Sequence, residues 1–406
     1  MKRPARGGLE YHLLVVVTLG LVAFGLVMVY SASSARAALA NDDPAYYLKR
    51  QAVYAFLGIV ALVVFSRTDY RRLRYLVPPL LLASFALLVA VLVVGIAVNG
   101  ARRWLTLGPA TLQPSELAKL ALVLWLAAYL SRSPAPQSLG ELIRPIGVVF
   151  GAAIALILVE PDLGTAISIV VMLAAVLVVA GTRFSTLAGA GAIGIGLIGA
   201  AIWLEPYRRE RILSFLDPWQ DPQGAGFQSV QAMLALGSGG FFGVGLGESV
   251  QKVYYLPEAS TDMIFAIIGE ELGLFGAFAV LAAFVVFGYA GFNVALACRD
   301  PFGKFLAAGI TALICGQAAV NVSAVMGLAP LTGIPLPLVS YGGSSLVVLL
   351  ASVGILLNIA VNHAAAESNA KVPDRRGRDR RARPAGARSR RVAAGPRRTR
   401  HVRRSA

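Results

Sequence analysis

LLVVVTLGLVAFGLVMV, residues 13–29, runs for seventeen residues without a charge. About 20 such residues cross the roughly 30 Å hydrocarbon core of a bilayer. The run also exceeds the 7–15 apolar residues of a signal peptide, so it reads as a retained anchor. Comparable runs, bounded by charges and by Gly or Pro, recur along the chain. They predict about ten spans, near 11–31, 51–66, 76–98, 115–131, 145–160, 163–181, 184–204, 262–288, 303–327 and 340–362.

Composition agrees with that reading. The 406 residues are 57% hydrophobic and only 14% charged, against about 25% charged in a soluble domain. The mean hydropathy is +0.70. A soluble globule could not hide so much apolar surface, so soluble enzymes, fibres and disulfide scaffolds are excluded. Cys298 and Cys315 fall at different depths of adjacent segments, which argues against a disulfide. His12, His363 and His401 lie far apart, which argues against zinc. The expected fold is an all-α polytopic membrane protein.

The net charge of +16 is unevenly placed. Residues 364–406 hold 15 Lys/Arg against three acids, whereas the rest of the chain holds 22 against 18. The basic excess therefore belongs to a tail, read as disordered, and does not point to a nucleic-acid partner. The tail and the cluster Arg67, Arg71, Arg72, Arg74 place both termini on the cytoplasmic side. The expected organisation is a short N-terminus (1–10), a ten-helix body (11–363) and the basic tail (364–406). Residues 205–261 then form a large outer loop between the seventh and eighth helices. Within it, Phe227, Val230 and Leu234 recur at helical spacing and predict an amphipathic helix at the interface. A second outer segment, 99–114, carries Arg102, Arg103 and Trp104, residues suited to the headgroup layer.

Several polar residues stand where they need a reason. Glu258 and Asp262 lie four apart in PEASTDMIF, just before an apolar run. Two carboxylates there supply a general base or hold a divalent cation. Alternatively, Asp262 only favours the positive end of a helix. The large loop also carries Arg208, Arg209, Arg211, Lys252 and the run GSGGFFGVGLG, residues 237–247. Glycine backbone and basic side chains suit phosphate, while plain turns explain the glycines as well. Glu116 and Lys119, spaced i, i+3, share a helix face, and Asp162 follows Pro161 at a break between spans. A structural Lys119–Asp162 bridge and a polar cavity for substrate headgroups are both compatible with burial of these charges. PLPLVSYGGSS, residues 335–345, breaks a helix at membrane depth, which is tolerated where backbone lines a cavity or is buried in protein.

Four of these segments together resemble the shape, elongation, division and sporulation (SEDS) family of bacterial cell-wall glycosyltransferases. They are ERILSFLDPWQDPQGAGFQSVQAMLALGSGGFFGVGLG, YLPEASTDMIFAIIGEELG, QPSELAKL with EPDLGTA, and SYGGSS. The resemblance covers residues 11–362 and is closer to the division branch than to the elongation branch. Ser260 stands where both branches commonly carry His.

The resemblance implies ten helices with the large loop between the seventh and eighth. It also implies lipid II as substrate, polymerised into β-1,4-linked glycan. Asp262 matches the family's essential aspartate and is the expected base of an inverting transfer. Lys119, Glu116 and Asp162 match its buried polar cluster, and Arg211, Lys252 and Glu258 fall in its loop motifs. With Ser340, Gly342 and Gly343 of the break, these are the candidates for substrate or diphosphate binding.

A divalent cation, Mg or Mn, is an expected cofactor, and no organic cofactor is expected. Expected partners are a class B penicillin-binding transpeptidase and other division proteins, the latter met through the basic tail. The expected location is the plasma membrane at the septum. A lipid II transporter is the rival reading, since carriers also bury charges within a bundle. A passive division scaffold is a third, and an elongation-branch polymerase is the alternative within the family.

Overall fold

A computed structural model describes residues 8–39, 43–98, 101–108, 110–204, 209, 213–253 and 256–370. Arg208, Arg211, the first seven residues and the tail beyond Ala370 lie outside the described residues. The chain divides into two units, Met1–Ala366 and Glu367–Ala406, and the structural description below concerns the first.

Each predicted span falls on a helix. These are α1 (Leu9–Leu39), α2 (Tyr46–Arg67), α3 (Leu73–Val94), α4 (Pro114–Leu130), α5 (Val148–Val159), α6 (Leu163–Ala180) and α7 (Phe184–Leu204). After the loop helix α8 (Phe227–Ser238) come α9 (Ile264–Ala297), α10 (Pro301–Val325) and α11 (Gly343–Ala370). Among the described residues, eight helices are long and apolar enough to cross a membrane. α4, 17 residues long, and α7, whose apolar stretch is short, are not among the eight. The protein is an integral membrane protein.

Local chemistry sets the ends of these helices. Asp162 caps α6 by accepting from Thr165 N, and Gly181 closes it in the left-handed region at φ 86°. Asp300 caps α10, with Pro301 in its first turn, where a missing N–H costs nothing.

Burial separates the helices into layers. α10 and α11 are buried over most of their length, whereas α2 and α3 show most of their surface outward. A helix apolar all round and buried all round is a bundle centre, and one exposed and apolar faces lipid. α10 packs against α4, α6 and α9. Lys119 of α4, buried within its span, therefore points into the middle of the molecule.

Two features depart from the sequence reading. Segment 96–112 is a small antiparallel sheet, β1 (Ile96–Val98), β2 (Ala101–Leu107) and β3 (Ala110–Leu112). On β2, Arg103 donates from Nε to Glu160 O at 2.9 Å and from its terminal nitrogen to Pro161 O, so it clamps the break before α6 and does not reach for headgroups. The loop helix α8 forms, but it buries Val230, Ala232 and Ala235 against α9 and leaves Leu234 exposed.

The glycine run follows the plain-turn alternative and packs its backbone on α9. α9 kinks at Gly273, which sits at φ 65°. The run docks on that kink: Val244 N donates to Glu270 O, Gly245 N to Glu271 O and Leu274 N to Gly240 O, all at 3.0–3.1 Å. A Cβ on Gly273 would meet Gly243 N at 2.4 Å. Backbone lies on backbone here, which only glycine permits.

Candidate active site

Four chain segments meet at one end of the bundle: the entry to α4, the entry to α6, the entry to α9 and the break between α10 and α11. Hydrogen bonds join them into a single network. Gln113, just before α4, donates through its backbone to Ser344 Oγ at 3.1 Å and through its side chain to Asp162 at 3.4 Å. Tyr341 N donates to Ser260 O at 2.9 Å, which ties the α10–α11 break to the segment carrying Asp262. Gln51 of α2 donates to Ser340 O at 3.0 Å and accepts from Gly342 N at 3.4 Å.

Asp262 lies in the turns that lead into α9, with 9% of its surface exposed. Thr261 Oγ1 stands 3.3 Å from its Oδ1 and 2.9 Å from Glu258 Oε2. The hydroxyl thus links the two carboxylates singled out in the sequence. Glu258 is exposed and held in the left-handed region at φ 54°. On its inner side Asp262 faces Gly333: a Cβ there would lie 3.9 Å from Oδ2. Asp262 is therefore a carboxylate at the rim of a buried polar region, with Glu258 outside it.

Deeper in, Lys119 Nζ donates to Glu116 Oε1 and to Gln317 Oε1, each at 2.8 Å. Lys119 and Glu116 are each 2% exposed. A charge buried that far costs several kcal/mol unless an opposite charge faces it, and Glu116 supplies one. The expected Lys119–Asp162 bridge is not formed. Asp162 gives its oxygens to Thr165 N at 3.0 Å, Thr165 Oγ1 at 2.8 Å and Gln113, because the break at Pro161 leaves a helix start that needs a cap.

Lys252 is the second correction. It is buried, and its Nζ lies 2.7 Å from Glu271 Oε1, within hydrogen-bond reach of Gly247 O at 2.6 Å, and 3.3 Å from Ser31 Oγ. Ser31 in turn donates to Glu271 at 2.7 Å. Its donors are taken up in fastening the loop to α1 and α9, so it is not available to a diphosphate. Ser340, Gly342 and Gly343 also serve the frame. Ser340 Oγ accepts from Leu336 N at 2.8 Å, and a Cβ on Gly343 would strike the Tyr54 ring at 2.8 Å.

Sequence reasoning passed over several residues of the network. Gln317 and Asn321 are i, i+4 amides on α10, both buried. Gln317 donates to Pro335 O at 3.0 Å, and Asn321 donates to Asp262 O at 2.7 Å and to Ile334 O at 2.8 Å. Glu270 and Glu271 lie side by side in an apolar run, a signal that was present in GEELG. Glu160 is 1% exposed, and neither carboxylate oxygen has a hydrogen-bond partner. It lies in the break after α5. Burial, then the neighbouring Asp162, push its carboxyl up to about 8 against the opposing pull of Arg103.

The donor set bears on a metal. Among the described residues, no group of three or more His, Cys, Asp or Glu could hold one. Two carboxylates joined through one hydroxyl, with no third, fit a cation that takes the rest of its shell from water and substrate phosphate.

Comparison with known proteins matches this arrangement to one family. Residues 11–365 match the FtsW/RodA/SpoVE family model, described as cell cycle protein. The chain is 43% identical over 343 residues to a protein of Geobacter sp. (strain M18) named probable peptidoglycan glycosyltransferase FtsW, covering 84% of this chain and 94% of that one. It is 42% identical over 352 residues to stage V sporulation protein E of Bacillus subtilis (strain 168), covering 86% and 96%. Among solved structures, a chain from "Structural coordination of polymerization and crosslinking by a peptidoglycan synthase complex" superposes with a TM-score of 0.71 at 34% identity, covering 86% of this chain and 97% of that one. By sequence and by fold, this chain belongs to the FtsW/RodA/SpoVE family.

Proposed function

We propose that the chain is a peptidoglycan glycosyltransferase that polymerises lipid II into β-1,4-linked strands during cell division, with Asp262 as general base. The observation that carries this reading is the placement of Asp262 at the rim of a buried polar region built from Glu116, Lys119, Gln317 and Asn321. The names of the relatives support the same chemistry. The donor sugar leaves from a diphosphate, and the acceptor is a sugar hydroxyl on another lipid-linked glycan. The hydroxyl oxygen forms the new bond to the anomeric carbon as the carbon–oxygen bond to the diphosphate breaks. The bonding pair leaves with the diphosphate, and the hydroxyl proton passes to Asp262. Displacement from the opposite face turns an α-linked donor into a β-linked product. The lipid tails lie along the exposed apolar helices.

Lys252 is engaged elsewhere, and of the two basic residues in the family's loop motifs Arg211 is the one assigned to the diphosphate. A divalent cation would sit against Glu258 beside Asp262 and supply charge neutralisation for the diphosphate. The termini are cytoplasmic, the enzyme works at the septum, and its partner is a class B penicillin-binding transpeptidase. The solved relative belongs to a peptidoglycan synthase complex that coordinates polymerisation with crosslinking, which supports that partner.

Purified protein given lipid II and Mg or Mn, alone and with a transpeptidase partner, tests the reading. Glycan polymer should form. Movement of labelled lipid II across a vesicle with no polymer under either condition would support a transporter instead.

A further inference from the structure

Asn321 holds Asp262 by its backbone. One amide group, 2% exposed, donates one hydrogen to Asp262 O at 2.7 Å and the other to Ile334 O at 2.8 Å. One turn earlier on α10, Gln317 donates to the next carbonyl of the break, Pro335 O, at 3.0 Å and accepts from Lys119. Residues i and i+4 share a helix face, so the two amides form a ladder along the break.

The ladder has a mechanical consequence. Asp262 belongs to turns, not to a helix, and its neighbour Glu258 is in the left-handed region. A catalytic side chain needs its backbone fixed to about 0.5 Å. α10, buried over most of its length, is the rigid element within reach, and Asn321 is its contact with Asp262. Through Gln317 the same helix face also carries the Lys119–Glu116 pair. The buried charges and the rim carboxylate are thereby referred to one frame.

We propose that Asn321 is a positioning residue for Asp262 in glycosyl transfer, and that Gln317 extends that hold to the Glu116–Lys119 pair. The proposal rests on Asp262 as the base, and its test keeps the two apart. Asn321→Asp keeps the shape but replaces the NH2 that donates both hydrogens with a single acceptor oxygen facing two carbonyls. Asn358 gives a matched control at the other end of the bundle: it is a buried amide that donates to Ser66 O at 2.8 Å and accepts from Tyr70 N at 3.1 Å.

Rates on purified lipid II should show kcat of Asn321→Asp down tenfold or more with KM within twofold. Asn358→Asp, at a similar loss of thermal stability, should keep kcat within twofold. Equal effects of the two variants on kcat, or an effect of Asn321→Asp on KM alone, would overturn the proposal. If Asn321→Asp does not fold, Asn321→Ala removes the amide without adding charge, and failure of that variant to fold would assign Asn321 to the fold and likewise overturn it. Asp262→Asn, run beside them, separates the two readings: inactive Asp262→Asn with normal Asn321→Asp defeats the positioning role only, and active Asp262→Asn defeats both.

Discussion

Lys119 Nζ stands 2.8 Å from Glu116 Oε1, one turn earlier on the same helix, with both side chains almost wholly out of solvent. The pair is self-contained on α4, and Gln317 of α10 completes it from across the interface. That arrangement leaves Asp162 to cap α6 and makes the charge balance of Lys119 a property of one helix.

The pair predicts a specific pattern of rescue. Lys119→Met or Glu116→Gln alone leaves one buried charge without its partner, at a cost of about 3–5 kcal/mol. Lys119→Met combined with Glu116→Leu should recover most of that stability in a detergent melt, whereas Lys119→Met combined with Asp162→Leu should not. Recovery by the Asp162 combination would mean that Lys119 is balanced by Asp162 after all. If the first double variant regains stability but not activity, the pair faces substrate.

Glu160 predicts a pH dependence. Its folded carboxyl, at about 8, lies above the ordinary value of 4.5, so the folded chain holds a proton that the unfolded chain releases. This contribution is fully present below about 4.5, falls as pH rises and is lost by about 8. Glu160→Gln should therefore flatten the thermal midpoint between pH 5 and 8 and raise it at pH 8 relative to the parent (roughly the window set by the shift). An unchanged slope would show that Glu160 is ionised within the fold.

The kink at Gly273 predicts intolerance of the smallest side chain. Gly273→Ala places a methyl at φ 65°, on Gly243 N and Phe241 O. Strain of about 1–3 kcal/mol and loss of loop docking should follow. Limited proteolysis should then cut the 239–250 segment faster than in the parent, and an unchanged cleavage rate would count against this docking.

How much of this was legible beforehand follows from the physics of each element. The spans were readable because a bilayer demands length and apolarity in one continuous stretch, and α6 matches its predicted limits to one residue. The sheet at 96–112 was not, since its strands are short and its residues, Arg102, Arg103 and Trp104, fit a headgroup layer equally well. Glu258, Asp262, Glu116 and Lys119 stood out as charges next to or within apolar runs. Their partners did not, because pairing depends on which helices touch. Spacing alone allowed Lys119 to reach Asp162 or Glu116. Lys252 was misread for the same reason, since its counter-charge Glu271 lies in another element. Asn321 and Gln317 are uncharged, and nothing in the local sequence marks an amide that acts on a carbonyl 59 residues away.

The basic tail predicts a division of labour. On the proposed cytoplasmic placement, each of the fifteen basic residues in 364–406 near an anionic inner leaflet is worth up to about 1 kcal/mol of attraction. Deleting Lys371 to Ala406 should leave polymerisation of purified lipid II in detergent within about twofold, on the order of 0.4 kcal/mol in barrier, while weakening septal placement in cells. Loss of most polymerase activity in a well-folded truncation would make the tail part of the enzyme.

The central claim, that Asp262 takes the proton of the attacking hydroxyl, is tested most directly by the polymerisation rate of Asp262→Asn on purified lipid II. The substitution keeps the side chain's shape and removes its basicity. The predicted result is no glycan polymer from a protein that reaches the membrane and melts like the parent. Polymer at near-parental rate from the Asn variant would contradict the assignment and remove Asp262 from the chemistry.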